Sequence, residues 1–130
     1  MDDFPQFMKH AVNRIAKSNQ ATPGVEGYVF DGADGSQMAF WTCRVTAASA
    51  AHSHDYDEYM IVVQGQYTLL IDGKQIPLRA GEEYFIPRGR CTAVKSWQAP
   101  GRFTHLAGIA RSGFGNLKEY HAGRPFRGQV

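Results

Sequence analysis

The chain has 130 residues, of which 43% are hydrophobic and 20% charged, and a formal net charge of +2. This size and composition predict one globular domain with a real core. The small charge, carried by scattered basic residues, argues against a nucleic-acid partner, and no run approaches the ~18 apolar residues of a membrane span. Residues 1–5 lack the features of a signal peptide, so we expect a cytoplasmic protein in which Cys43 and Cys91 are reduced and buried.

One helix is predicted, over residues 5–17. Pro5 suits a first helical turn, and Asp2 and Asp3 place negative charge where a helix N-terminus favours it. Apolar residues recur through the segment with helical spacing. We expect this helix to pack on the outside of the domain or against a partner subunit.

The rest of the chain is predicted to form short β-strands separated by turns. The predicted strands cover residues 25–30, 37–45, 58–63, 67–71, 74–78, 83–86, 92–97 and 102–110. Asp72-Gly73 and Ala99-Pro100-Gly101 mark two of the turns, residues 46–51 are assigned to a loop, and residues 111–130 to a C-terminal tail. Short strands at regular spacing predict an all-β sandwich or barrel over residues 25–110.

Two histidines and a glutamate form a candidate metal site. His52 and His54 are two residues apart, so in an extended strand both side chains point to one side. Glu58 opens the next apolar strand and can join them if the intervening turn folds back. Two neutral imidazoles and a carboxylate suit a divalent transition metal such as iron, zinc, manganese or nickel. If Glu58 points inwards, Met60 and Val62 do too, because alternate residues share a face.

Two spacings in this region resemble the conserved motifs of the cupin superfamily: His52-x-His54-x3-Glu58-x6-Gly65 and Gly81-x5-Pro87-x-Gly89. The three glycines suit turns in which φ is positive. The resemblance covers most of the chain and implies a small antiparallel jelly-roll barrel that encloses a metal. The expected fold is therefore an all-β, cupin-type barrel with one N-terminal α-helix.

The second motif departs from the family at one important position. Where the family has a histidine as its fourth metal ligand, this chain has Thr92. Three outcomes are open. Three ligands hold the metal and leave positions for water or substrate; another side chain replaces the missing histidine; or the metal is lost and the pocket binds an organic molecule.

His105 is the best candidate for the replacement ligand. If the strands at 92–97 and 102–110 form a hairpin centred near Pro100, Thr92 faces a residue near 108, and His105 lies one same-face step away. Cys91 precedes Thr92 and faces the opposite side in a regular strand, so only a bulge could turn it inwards.

The pocket around the metal is expected to contain Trp41, Tyr56, Met60, Tyr67 and Arg90. An arginine at the barrel mouth suits a carboxylate or phosphate. Tyr56, Tyr67 or His105 can move protons.

Two functions fit these observations. The first is a metal-binding barrel that binds or acts on a small organic molecule, as a metal-dependent oxygenase, isomerase or lyase. The alternative is a non-catalytic barrel that has lost its metal and binds a sugar or organic acid. The cupin family contains both classes, so the fold does not choose between them. The resemblance also implies a homodimer formed through strand edges and sheet faces, with the predicted helix and the outward residues Tyr59, Ile61 and Val63 as contributors.

Overall fold

The computed structural model describes residues 3–15, 24–53, 56–97 and 103–112 of the chain. Within these ranges the chain forms nine β-strands: β1 Val25–Asp31, β2 Ser36–Cys43, β3 Ala47–Ala48, β4 Tyr56–Gln64, β5 Gln66–Ile71, β6 Lys74–Arg79, β7 Glu83–Ile86, β8 Thr92–Trp97 and β9 Thr104–Ser112. The short β3 lies in the predicted loop, and β9 extends two residues into the predicted tail. The rest of that tail, residues 113–130, lies outside the described residues.

The strands form two antiparallel sheets. The first has the order β1-β2-β9-β4-β7, and the second has the order β3-β8-β5-β6. Sequence neighbours often lie in different sheets, so the chain crosses between the two layers repeatedly, as expected of a jelly roll. The all-β prediction is confirmed. No helix among the described residues is long and apolar enough to cross a membrane.

Alternation along each strand builds the core between the sheets. On β4 the residues Glu58, Met60 and Val62 are all fully buried, whereas Val63 is 54% exposed. Trp41 of β2 and Tyr67 of β5 are also fully buried, from opposite sheets. Glu58 therefore faces inwards, and Met60 and Val62 share its face, as alternation predicted for that case.

The predicted helix at 5–17 is wrong for the described residues. The chain instead makes two single-turn 3-10 helices, Gln6–Met8 and Ala11–Asn13, separated by an extended His10. Pairing with β1 competes with helix formation: Arg14 forms a β-bridge with Tyr28, and the Ile15 amide donates to the Gly27 carbonyl at 2.9 Å. A short helix has little stability of its own, so tertiary contacts decide its fate.

The predicted hairpin between β8 and β9 is also wrong. β8 pairs with β3 and β5 in one sheet, whereas β9 pairs with β2 and β4 in the other. Thr92 therefore pairs with Ile71 of β5, and not with a residue near 108. The turn residues 98–102 lie outside the described residues.

Two turns follow the chemistry of their residues. Asp72 and Gly73 both have positive φ, which a tight two-residue hairpin turn requires. Gly65, between β4 and β5, has φ of 85°, and a Cβ added there would lie 2.6 Å from the Thr104 hydroxyl. Both positive φ and close approach thus require glycine at this point.

Candidate functional site

His52 lies directly opposite Thr92. The two residues form an isolated antiparallel bridge, and each amide donates to the other's carbonyl at 2.8 Å. Directly paired residues point to the same side of a sheet. Thr92 is 1% exposed and shares its face of β8 with the fully buried Val94, so His52 extends from the backbone towards the barrel interior. The structure therefore brings together the first predicted ligand and the position of the missing histidine.

A backbone hydrogen bond orients the His52 ring. Its Nδ1 lies 3.0 Å from the carbonyl oxygen of Ala50. A carbonyl only accepts, so Nδ1 carries a proton, and in the neutral imidazole Nε2 then presents the lone pair. Metal-binding histidines commonly donate their second ring N–H in this way. The arrangement fits an imidazole that binds a metal through Nε2.

Glu58 enters the same interior from the facing sheet. Its neighbours across the strands are Ile86 of β7 and Ala110 of β9, and its side chain is fully buried. Only residues 53–55 separate His52 from the start of β4. Because an isolated carboxylate is costly to bury, this position fits a carboxylate that binds a cation or strong hydrogen-bond donors.

Tyr67 lies close enough to Cys43 and Glu58 of the facing sheet to feel their charge. Burial raises the pKa of the Tyr67 phenol well above its ordinary value, and the proximity of Cys43 and then Glu58 raises it further. The phenol therefore keeps its proton at neutral pH and acts as a neutral hydrogen-bonding group. Thr104, fully buried on the inner face of β9, adds a hydroxyl that donates to the Gln66 carbonyl at 3.3 Å.

The second predicted ligand, His54, lies outside the described residues. Within residues 3–15, 24–53, 56–97 and 103–112, no three or more His, Cys, Asp and Glu side chains are grouped closely enough to hold a metal ion. Two imidazoles and a carboxylate are a donor set that divalent transition metals accept. A complete site on this chain thus requires His54 beside His52 and Glu58.

His105 points away from this site. On β9 the residues Leu106 and Ala110 pair with the inward-facing positions of β4, so His105 lies on the outer face of the same sheet. There its Nδ1 lies 2.7 Å from the hydroxyl of Thr42, and its ring contacts that of Phe4. The expectation that His105 replaces the missing ligand is corrected: it depended on a β8–β9 hairpin that does not form.

The expected pocket residues divide into two groups. Trp41, Met60 and Tyr67 are fully buried, and Tyr56 packs against the core. Arg90 is on the surface, where its guanidinium pairs with the Asp72 carboxylate at 2.7 Å. Asp72 follows Ile71, the residue paired with Thr92, so Arg90 lies near the end of the barrel that carries His52.

The two cysteines differ in exposure. Cys43 is buried, whereas Cys91 is exposed, so the expectation of two buried thiols is wrong for Cys91. Its exposure agrees with the alternation that turns Thr92 inwards.

A separate apolar cavity of about 420 Å³ lies on the outer side of the first sheet. It is formed between the N-terminal residues Phe4, Phe7 and Met8 and the strand residues Phe40 and Val63, with His105 among its lining side chains. This cavity is on the opposite face of the sheet from Glu58. It is therefore distinct from the barrel interior.

The family model for the cupin domain matches residues 39–96. This segment contains every motif position from His52 to Thr92. The chain carries a cupin domain. No curated protein sequence matches it.

Solved structures with the same fold are numerous and distant in sequence. The polyketide cyclase RemF from Streptomyces resistomycificus is 18% identical with a TM-score of 0.62, and the match covers 82% of this chain and 84% of that chain. KdgF from Halomonas sp. is 16% identical, with a TM-score of 0.58 and coverage of 68% and 79%. A cupin superfamily protein from Desulfitobacterium hafniense is 13% identical, with a TM-score of 0.59 and coverage of 69% and 79%. These likenesses show a shared cupin fold.

Sequence reasoning missed two polar residues of the interior, Cys43 and Thr104. Cys43 ends β2, Thr104 begins β9, and the two residues pair directly with each other. Alternation from Trp41 predicts that the Cys43 side chain points inwards. The sequence around Cys43 does not show that Cys43 lies near Tyr67, because the two residues come from different sheets.

Proposed function

We propose that this cupin binds a divalent metal through His52, His54 and Glu58 and binds or acts on a small organic molecule in the barrel interior. The observation that carries the proposal is the His52 ring, whose Nδ1 donates to the Ala50 carbonyl as the second ring nitrogen of a metal-binding histidine commonly does. Three protein ligands leave coordination positions for water or substrate. When bound, such a metal polarises a substrate oxygen or activates a coordinated molecule.

The chain's own residues define the surroundings of the substrate. Trp41 and Met60 supply buried apolar walls, against which an organic molecule packs. Tyr67 holds its proton and offers a neutral hydrogen-bonding group beside Glu58. Arg90, near the His52 end of the barrel, carries a guanidinium that suits a carboxylate or phosphate. An oxygenase, isomerase or lyase reaction fits such a pocket.

The second candidate function is a non-catalytic barrel for a sugar or organic acid. Thr92 favours it, because a threonine hydroxyl is a poor ligand for a divalent metal and yet suits hydrogen bonding to a polar ligand. In this version His52, Tyr67 and Thr92 bind the ligand directly. RemF is described as a polyketide cyclase, so the same fold also accommodates catalysis.

The test is metal content in the protein purified without a histidine tag. We expect near-stoichiometric metal by elemental analysis after reconstitution with iron, zinc, manganese or nickel. His52→Ala and His54→Ala should each lose most of it. His10→Ala, which removes an exposed imidazole, and His105→Ala, on the outer face, should keep it.

Failure to take up any of the four metals would refute the metal proposal. So would loss of metal from His105→Ala equal to that from His52→Ala, with both variants folded by circular dichroism. A thermal-shift screen of sugars and organic acids then tests the second function, because a ligand that binds only the folded state raises the melting temperature.

We also propose that the protein works in the cytoplasm, which its two thiols favour.

A further inference from the structure

The apolar cavity on the outer side of the first sheet has the size of a small-molecule site. Its volume of about 420 Å³ lies within the roughly 300–1,000 Å³ of pockets that hold ligands. It is almost three times the ~150 Å³ of an apolar cavity that takes up benzene, so it has room for a molecule of about three rings. Phe7 and Val63 line the cavity and are 77% and 54% exposed, so a small molecule can enter it from solvent.

The N-terminal segment, residues 3–15, holds this cavity open because it is attached to the sheet near both of its ends. Phe4 packs edge-on against the His105 ring, with the ring centroids 6.0 Å apart, and the Ile15 amide donates to the Gly27 carbonyl at 2.9 Å. Between these attachments the two 3-10 turns, which the structure describes in full, bury no side chain. The segment therefore covers the sheet without filling the space beneath it. A preformed site of this kind loses little free energy to ordering when a ligand binds.

Aromatic side chains form much of the cavity wall. Phe4 and Phe7 come from the N-terminal segment, and Phe30 and Phe40 come from β1 and β2. The rings of Phe30 and Phe40 meet edge to face, with centroids 6.4 Å apart and an angle of 72° between their planes. An aromatic ring has a negative face and a positive edge, and aromatic pairs gain from meeting edge to face or offset. Four such rings around one space favour an aromatic ligand over an aliphatic chain.

The charges around the cavity favour a neutral ligand. Among the lining residues that the structure describes, His105 has the only titratable side chain. It is 2% exposed, and its Nδ1 lies 2.7 Å from the Thr42 hydroxyl. Lys9, which follows the lining residue Met8, is paired with the Asp3 carboxylate. A charged molecule would therefore lose its hydration here without gaining a charged partner.

We propose that this cavity is a second binding site of the protein, for a neutral aromatic molecule of about three rings. The ligand covers part of the Phe7 ring, which the chain alone leaves exposed, and burial of that apolar surface stabilises the complex. Phe40 and Glu58 lie on opposite faces of the first sheet. The second site is thus separate from the barrel interior and does not depend on the proposed function.

The test is a fluorescence titration of the full chain with N-phenyl-1-naphthylamine, a neutral dye of three aromatic rings. We expect saturable binding with a dissociation constant on the order of 10 μM. The matched control dye is 8-anilino-1-naphthalenesulfonate, which has the same ring system with a sulfonate added. It should bind at least about 10-fold more weakly, because its charge must be desolvated without a partner.

Two substitutions locate the bound dye. Phe7→Glu removes a ring from the cover and adds a carboxylate, and it should weaken binding of the neutral dye about 10-fold. Its matched control is Val12→Glu, which changes a 59% exposed residue of the same segment that does not line the cavity and should bind like wild type. Val63→Trp adds bulk to the floor and should weaken binding to a similar extent. Its control is Val45→Trp, at a 46% exposed residue outside the lining. Circular dichroism checks that all four variants are folded.

Four results would overturn the inference. The first is a wild type that does not bind the neutral dye, and the second is binding that Phe7→Glu and Val63→Trp both leave unchanged. The third is equal affinity for the two dyes, which would refute a neutral site. The fourth is dye release as the protein concentration rises, which would assign the cavity to a second copy of the chain. Phe7→Glu and Val63→Trp should keep the metal content of wild type, so failure of this inference and failure of the proposed function are distinguishable.

Discussion

Thr92→His should rebuild a four-ligand metal site. Thr92 and His52 exchange two backbone hydrogen bonds of 2.8 Å, and residues paired in this way have Cα atoms about 5.5 Å apart. Side chains at that separation and on one face can both reach a metal bound at about 2.1 Å from each nitrogen. The variant should bind metal at least 10-fold more tightly than wild type, since even the loss of an outer-shell partner typically costs about 10- to 100-fold.

Without metal the same substitution should destabilise the protein. Thr92 is 1% exposed, and adding bulk at a packed position costs about 1–3 kcal/mol. For a chain of this length that lowers the melting temperature by about 4 °C per kcal/mol. Metal at ~100 times its dissociation constant returns about 2.7 kcal/mol, so the variant should be less stable than wild type without metal and regain most of the difference with it.

Differential scanning calorimetry with and without zinc, together with a competition titration against a chelator, measures both effects. Cys91→His is the matched control, because it adds a histidine one residue away on an exposed side chain. If Cys91→His gains as much affinity as Thr92→His, or if neither gains any, position 92 does not face the metal and the site derived from its pairing with His52 is wrong.

Two further predictions concern the fold and the interior. Gly65→Ala should cost about 1–3 kcal/mol more than Gly35→Ala, because only the methyl group at position 65 overpacks its surroundings. Both glycines have φ above 80°, but only at Gly65 would the new methyl group meet a neighbour, at 2.6 Å. Equal losses in urea unfolding would contradict the close contact. Because the pKa of Tyr67 is higher in the folded than in the unfolded chain, its contribution to stability is full below pH ~10 and is lost as the pH rises. Above pH ~10 the wild type should lose about 1.4 kcal/mol of unfolding free energy per pH unit, and Tyr67→Phe should lack this loss. Identical dependence of the unfolding free energy on pH in the two proteins would show that the phenol is not buried.

Strand positions were predictable because the signal is local. β6 and β7 begin at the predicted residues, and β8 matches at both ends. Alternation along β4 also correctly predicted that Met60 and Val62 share the face of Glu58. The Asp72-Gly73 pair correctly predicted a tight turn, in which both residues have positive φ. Each of these features depends only on residues within a few positions along the chain.

The partner of each strand was not predictable in the same way. The turn near Pro100 suggested that β8 pairs with β9, but the two strands enter different sheets. A turn signal shows where the chain reverses, and a jelly roll uses such reversals to cross between layers as well as to form hairpins. This error placed His105 near Thr92, when its true neighbour is Thr42.

The N-terminal segment shows the limit of periodicity. Its apolar residues have helical spacing, yet the structure uses them to cover a sheet: Phe4 packs on Tyr28 and His105, and Ile15, 4% exposed, joins the core. Helical spacing indicates that a segment has apolar residues to bury. Whether it buries them as a helix depends on the surface that it meets, which is built by residues distant in the sequence.

Alternate residues of β4 and β9 serve two different surfaces. Glu58 and Met60 point into the barrel, whereas Tyr59 lies on the outer face of the sheet, paired with Ile109. A shift of one residue in the register of either strand would exchange the two sets and place the Glu58 carboxylate on the outer face of the sheet. The packing of the interior therefore fixes the register of β4, and with it the residues that the outer face presents.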